Sequence, residues 1–179
     1  MSIDDKKIIH AMRSMPEVGF RLLMGKYKES IYWHIRRLVV SHEDAQDVSQ
    51  ETFVRIYRSF KTFRESSSLR GWMFRIATNE ALRLLQNRVR YVSPGENDVQ
   101  RANLIPADNF VDYTDAETVK LQKAISSLPF KQQLAFNLRY YDEMDYDEIA
   151  KVADSTPSAA KMNYHIAKDK IIKYMNTND

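Results

Sequence analysis

Apolar side chains recur every three or four positions through most of the chain, and the points where that rhythm stops divide it into helices. Phe20, Leu23, Tyr27, Ile31, Ile35 and Leu38 form one row. They predict an amphipathic helix over roughly 17–40, with Pro16 near its start, where a missing amide donor is harmless. Ser41 and Asp44 have capping-box-like spacing, and Ala45, Val48, Thr52, Ile56 and Phe60 make the buried row of a second helix. The polar stretch Arg64-Glu65-Ser66-Ser67-Ser68 predicts a loop. A third helix from about Leu69 to Arg90 then turns Leu69, Met73, Ala77, Ala81 and Leu84 inward.

Beyond a stretch without helical periodicity, Tyr91 to Asp115, the pattern resumes. Thr114 and Glu117 give a capping signal ahead of Leu121, Ala124, Ile125 and Leu128, and Pro129 opens another helix carrying Leu134, Leu138 and Tyr141. The polar run Asp142 to Asp145 ends it. Asp145 and Glu148 cap a short helix, Tyr146 to Ala153, and Thr156-Pro157 caps the next after two or three turn residues. That is helix-turn-helix spacing. Ala150 is small where the two helices approach, Asp154 tolerates a left-handed turn, and Ala160 packs inward. Ile149, Val152, Ala160, Tyr164, Ala167 and Ile171 are the expected interior. Ser158, Lys161, Met162, His165 and Lys168 are left facing outward, where the start of a second helix meets a DNA major groove. A helical corner whose lysines merely face water has the same spacing.

Composition narrows the chemistry. Of 179 residues none is cysteine, which removes disulfides, thiolate metal sites and cysteine nucleophiles and suits a reducing cytoplasm. Only four glycines are present, and neither G-x-G-x-x-G nor G-x-x-x-x-G-K-[ST] can be written from Gly19, Gly25, Gly71 and Gly95. His10, His34, His42 and His165 lack metal-ligand spacing, so no metal, no cofactor and no enzymatic activity are expected. There is no apolar run near the ~20 residues that span a membrane, and no secretory leader, so no membrane insertion is expected.

Charge is unevenly spread. Residues 1–90 hold 17 basic and 10 acidic side chains, residues 91–118 hold 1 and 6, and residues 119–179 hold 9 and 8. A basic front block, an acidic middle and a near-neutral back predict an all-α protein of two small helical domains, 1–90 and 116–179. An acidic flexible linker, 91–115, joins them, and the front faces a polyanion. On the third helix Trp72, Arg75, Asn79, Arg83, Gln86 and Arg90 fall on the solvent side, a set able to grip phosphates and stack an unpaired base. A solvated basic face with Trp72 turned into the core is the plainer alternative. On the second helix Asp47, Gln50, Glu51 and Arg55 form an outward stripe suited to a partner protein. The acids near the start of that helix equally complement its dipole.

These residues carry a family resemblance. Asp44-Ala45-Gln46-Asp47-Val48-Ser49-Gln50-Glu51-Thr52-Phe53, then Phe63, then Leu69-Arg70-Gly71-Trp72-Met73-Phe74-Arg75-Ile76-Ala77-Thr78-Asn79 resemble the second conserved region of extracytoplasmic-function (ECF) sigma factors. Leu128-Pro129, Tyr146-Asp147-Glu148-Ile149-Ala150 and Thr156-Pro157-Ser158-Ala159-Ala160-Lys161 resemble the helix-turn-helix of their fourth region. The resemblance implies a promoter-specificity subunit of bacterial RNA polymerase, cytoplasmic and without chemistry of its own. Asp47, Gln50 and Glu51 would dock on core polymerase. Ser66, Ser67, Ser68, Trp72, Arg75, Asn79 and Arg83 would hold the single-stranded minus-ten element. Thr156, Ser158, Lys161, Met162, His165 and Lys168 would meet the duplex minus-thirty-five element. An anti-sigma factor is a further candidate partner. The pattern departs from the family at Asp154, where glycine is usual, and at Lys161 to Ala167, which lacks the family's arginines. The competing function is a dimeric helix-turn-helix regulator that binds duplex DNA without polymerase.

Overall fold

The computed structural model describes residues 2–90 and 115–177, with Val89 and Arg90 described by their backbone alone. Every element among them is helical: α1 (Asp5–Ser14), α2 (Pro16–Val39), α3 (His42–Ser59), a 3-10 turn (Phe60–Thr62), α4 (Leu69–Arg90), α5 (Ala116–Ser126), α6 (Phe130–Tyr140), α7 (Tyr146–Ala153) and α8 (Pro157–Met175). The segment read as a linker lies, except for Asp115, outside the described residues.

Local chemistry sets most boundaries. The Ser41 hydroxyl accepts from the Asp44 amide, the Asp145 carboxylate from the Glu148 amide, and the Thr156 hydroxyl from the Ala159 amide. Each satisfies one of the orphan donors of a first helical turn, worth about 1 kcal/mol. The cap of α5 differs from the sequence expectation. Asp115 holds that position, accepting from the Thr118 amide at 2.7 Å, and Thr114 lies outside the described residues. Asp154 turns the chain between α7 and α8 at φ 52°, ψ 53°, in the left-handed region. Val40 makes the α2–α3 turn at φ 68° with its side chain buried, a conformation that β-branched residues avoid.

Helix α1 was not foreseen by the apolar rhythm. It buries Ile8, Ile9, Ala11 and Met12 and packs on α2. The approach is possible because residue 19 is glycine: a Cβ there would lie 2.2 Å from the Met12 amide nitrogen. Asp5 ties the far end, accepting from the Tyr27 hydroxyl at 2.8 Å and pairing with Lys26 at 2.7 Å.

The two blocks share one core. Leu23, Ile31, Ile35, Ile56 and Met73 from the front are continuous with Leu134, Leu138, Met144, Ile149 and Val152 from the back. Helix α4 lies against α7, and α2 touches α6. A smaller cluster, Ala124, Ile125, Leu128, Phe136, Ala167 and Ile171, closes the back block behind α8. Fully buried side chains such as Leu138, Met144 and Ile149 contribute about 1.5–3 kcal/mol each.

Candidate functional site

Helix α8 starts at the Thr156 cap, and its inward residues Ala160, Ala167 and Ile171 are buried, with Tyr164 half-buried. That packing fixes the opposite face. Ser158, Lys161, Met162, His165 and Lys168 are all exposed, Met162 at 60%. Thr156 is exposed too, but its hydroxyl is already engaged as the cap. The face therefore presents two ammonium groups, an imidazole, a hydroxyl and an apolar thioether, with no guanidinium.

On α4, Arg75, Asn79, Arg83 and Gln86 are exposed, as three- and four-residue spacing requires once Met73, Ala77 and Ala81 are buried. Trp72 departs from that stripe. It is half-buried, its ring 5.3 Å from Phe63 and 6.0 Å edge-on to Phe60, because the aromatic trio removes more apolar surface from water than an outward indole could. Trp72 keeps partial exposure, and Ser66, Ser67 and Ser68 in the segment before α4 are all exposed. Ser68 has a structural task as well: its hydroxyl accepts from the Gly71 amide at the start of α4. Arg83 pairs with Glu80, a buried carboxylate that also holds Arg55 of α3.

Asp47, Gln50 and Glu51 are exposed on one stripe of α3. Gln50 lines a broad groove between α2 and α3, floored by Phe20, Met24, Gly25, Phe53, Val54 and Tyr57 and edged by Arg21, Lys28 and Arg58. At Gly25 a Cβ would meet nothing within 4 Å, so the floor is open there. Val54 is 40% and Tyr57 44% exposed, an apolar surface the sequence reading had not singled out. Phe20 packs against the core from its row on α2 but is only half-buried, and its other contact, edge-on to Tyr57 at 5.1 Å, makes it line the groove as well.

The contact between the blocks is polar at its centre. Arg70 of α4 donates from Nε to Glu148 Oε1 at 3.0 Å and from Nη2 to Oε2 at 2.7 Å, and its Nη1 donates to the Asp142 carbonyl at 3.1 Å. Ser68 Oγ donates to the same carboxylate at 3.2 Å. Glu148 holds the Arg70 guanidinium more firmly charged than usual. Arg75 approaches Asp154 at 3.7 Å, and Arg37 of α2 lies 4.0 Å over the Tyr141 ring. Behind them His34 is fully buried, and burial with the neighbouring Arg37 pushes it down to about 3. Asp142 is pushed up to about 6, chiefly by burial, against the opposing pull of Arg37 and Arg70. Among the described residues there is no cluster of potential metal ligands, and no helix is long and apolar enough to cross a membrane.

The family model for Sigma-70 region 2 matches residues 23–91, and that for Sigma-70 region 4 matches residues 118–171. RNA polymerase sigma-H factor of Pseudomonas aeruginosa is 28% identical over 94% of this chain and 92% of its own. ECF RNA polymerase sigma-E factor of Escherichia coli is 28% identical over 94% of this chain and 93% of its own. Two solved structures share the fold. The sigma factor RpoE of Bartonella quintana, in complex with the anti-sigma factor NepR, superposes with a TM-score of 0.70 at 19% identity over 89% of this chain and 98% of its own. CnrH, in complex with the cytosolic domain of CnrY, does so at 0.72 and 18% over 98% and 99%. Two regions matched in order on the two helical blocks, with relatives aligned along nearly the whole length, place this chain in the sigma-70 family as an RNA polymerase sigma factor of the ECF type.

Proposed function

We propose that the front block, residues 1–90, docks on core RNA polymerase and holds the melted minus-ten element, while the back block, residues 116–179, reads the minus-thirty-five duplex. The observation that carries this division is that each matched region presents its own candidate face to solvent: the Arg75–Asn79–Arg83 stripe on α4 and the Ser158–Lys161–Met162–His165 face on α8.

Asn79, with a donor and an acceptor on one planar amide, suits the edge of a flipped base. Trp72 supplies a partial stacking edge, and Arg75 and Arg83 supply phosphate contacts. On α8, Lys161 and Lys168 suit phosphates or a guanine edge, and the unbranched thioether of Met162 suits a thymine methyl. With no arginine on this face, upstream readout leans on apolar and single-point contacts. Asp47, Gln50 and Glu51, with the apolar floor of the α2–α3 groove beside Gln50, suit a helical element of core polymerase. The chain acts as a non-enzymatic subunit in the bacterial cytoplasm. An anti-sigma protein is a natural regulator, since both solved relatives were captured with partners of that kind or with a cytosolic domain.

DNA geometry adds a requirement. Elements centred near minus ten and minus thirty-five are about 85 Å apart along B-form DNA, whereas α4 and α7 touch. Fully extended, residues 91–114 reach about 79–86 Å, comparable with that distance, so both elements can be engaged only once the blocks have left each other. Two variants test the division. Asn79→Ala should impair promoter opening, read by permanganate reactivity of unpaired thymines, with core affinity retained. Gln50→Ala with Glu51→Ala should weaken core affinity. Equal loss of both activities in both variants would remove the assignment.

A further inference from the structure

His34 and Asp142 sit where the two blocks meet, and neither belongs to the docking, minus-ten or minus-thirty-five faces. His34 Nδ1 lies 3.9 Å from Asp142 Oδ2, and neither atom has a hydrogen-bond partner among the described residues. The surrounding bonds fix which form of the imidazole is present. Thr78 Oγ1 donates its proton to the Phe74 carbonyl at 2.7 Å, so at 2.8 Å it can only accept from His34 Nε2. Nε2 therefore carries the ring proton and Nδ1 offers a lone pair. That lone pair faces a carboxylate oxygen, acceptor against acceptor, and a buried polar group left unpaired weakens the contact that buries it. A proton on Oδ2 removes the clash of acceptors, and an approach of about 1 Å from the present 3.9 Å then brings the two within hydrogen-bond reach.

We propose that His34 and Asp142 form a proton-operated clasp, in which protonation of the Asp142 carboxyl closes the front block onto the back block and its loss favours separation. The charged and titratable groups facing Asp142 are His34 and Arg37 from α2, Arg70 from α4 and Glu148 from α7. Arg37 and Arg70 favour the carboxylate, while Glu148 and burial oppose it, and burial is the largest effect. The sign follows from linkage. Asp142 is held near 6 in the closed form against an ordinary value of 3.8 once solvated, so the closed form binds the proton more tightly. Closure is therefore fully supported at low pH and loses that support as pH rises through about 6. Between pH 7 and pH 5 the closed-to-open ratio should rise about tenfold. Because promoter engagement requires separated blocks, acidification would hold the sigma factor back from polymerase. That consequence rests on the proposed function; the clasp itself does not.

The full chain has no cysteine, so Lys61→Cys with Lys131→Cys gives two exposed, uniquely labelled sites, one on each block, for a fluorescence distance reporter. The expected result is a shift toward the short-distance state on going from pH 7 to pH 5, abolished in Asp142→Asn, whose amide is uncharged and can donate to His34 Nδ1 at either pH. A shift toward the long-distance state on acidification would point to loss of the Arg70–Glu148 pair instead and would overturn the proposal. So would an unchanged shift in Asp142→Asn. Carbon-13 titration of the Asp142 carboxyl in the unlabelled chain supplies an independent reading. A midpoint near 6 supports the clasp, and an ordinary carboxylate midpoint overturns it. A reporter shift in a chain that binds core polymerase at neither pH would uphold the clasp while refuting the sigma reading.

Discussion

Removing either partner of the Arg70–Glu148 pair should loosen the two blocks by an amount that the geometry sets. The pair is bidentate, with bonds of 3.0 and 2.7 Å, and joins α4 to α7. A hydrogen bond to a charged group contributes about 1.5–3 kcal/mol when well buried. The side chains here are 35% and 14% exposed, so water screens part of the interaction and offsets part of its loss. A coupling of about 1–2 kcal/mol remains, equivalent to a 5- to 30-fold change in the closed-to-open ratio. Arg70→Ala, Glu148→Ala and the double variant, each in the labelled background at pH 7, give that coupling as a thermodynamic cycle. Urea titrations alongside check that both blocks stay folded. The single variants should each populate the long-distance state and the double should add little. A coupling below about 0.3 kcal/mol would mean that the shared apolar core alone holds the blocks together and that the polar centre of the interface is incidental.

Other perturbations reach different parts of the molecule. Gly19→Ala should destabilise the front block by about 1–3 kcal/mol, because the obstacle is α1 backbone rather than a flexible side chain. Hydrogen exchange should show residues 5–14 losing protection first, and unchanged protection would contradict the close approach. Asp154→Gly should stabilise the chain by roughly 0.5–1 kcal/mol in a urea titration, since glycine adopts the left-handed turn without steric cost; destabilisation would mean that the Asp154 side chain matters more than its backbone. Lys161→Glu should lower promoter affinity of the polymerase complex and reduce its salt slope by about one or more, and an unchanged slope would turn that face away from DNA.

Helix limits were legible where a side chain closes the first turn. Ser41, Asp145 and Thr156 mark the starts of α3, α7 and α8 in the sequence and in the structure alike. The outward face of α8 was legible for the same reason, because a buried row at helical spacing leaves one side only. Helix α1 escaped notice because its ten residues gain stability from a tertiary event, close passage over Gly19. Trp72 and Phe20 show the limit of periodicity. Helical spacing says which residues share a face, but their partial burial depends on Phe60, Phe63 and Tyr57, which other segments bring in. The ion pair that joins the blocks could not be read at all: Arg70 and Glu148 stand 78 positions apart, and no local pattern links them.

The most direct test of the central claim is run-off transcription with purified core polymerase, promoter fragments from the chain's own genome, and the chain added or withheld. A discrete transcript that depends on the chain and starts a fixed distance downstream of its minus-ten element is the predicted result. Failure to associate with core, together with protection of two symmetric duplex half-sites by the chain alone, would contradict it.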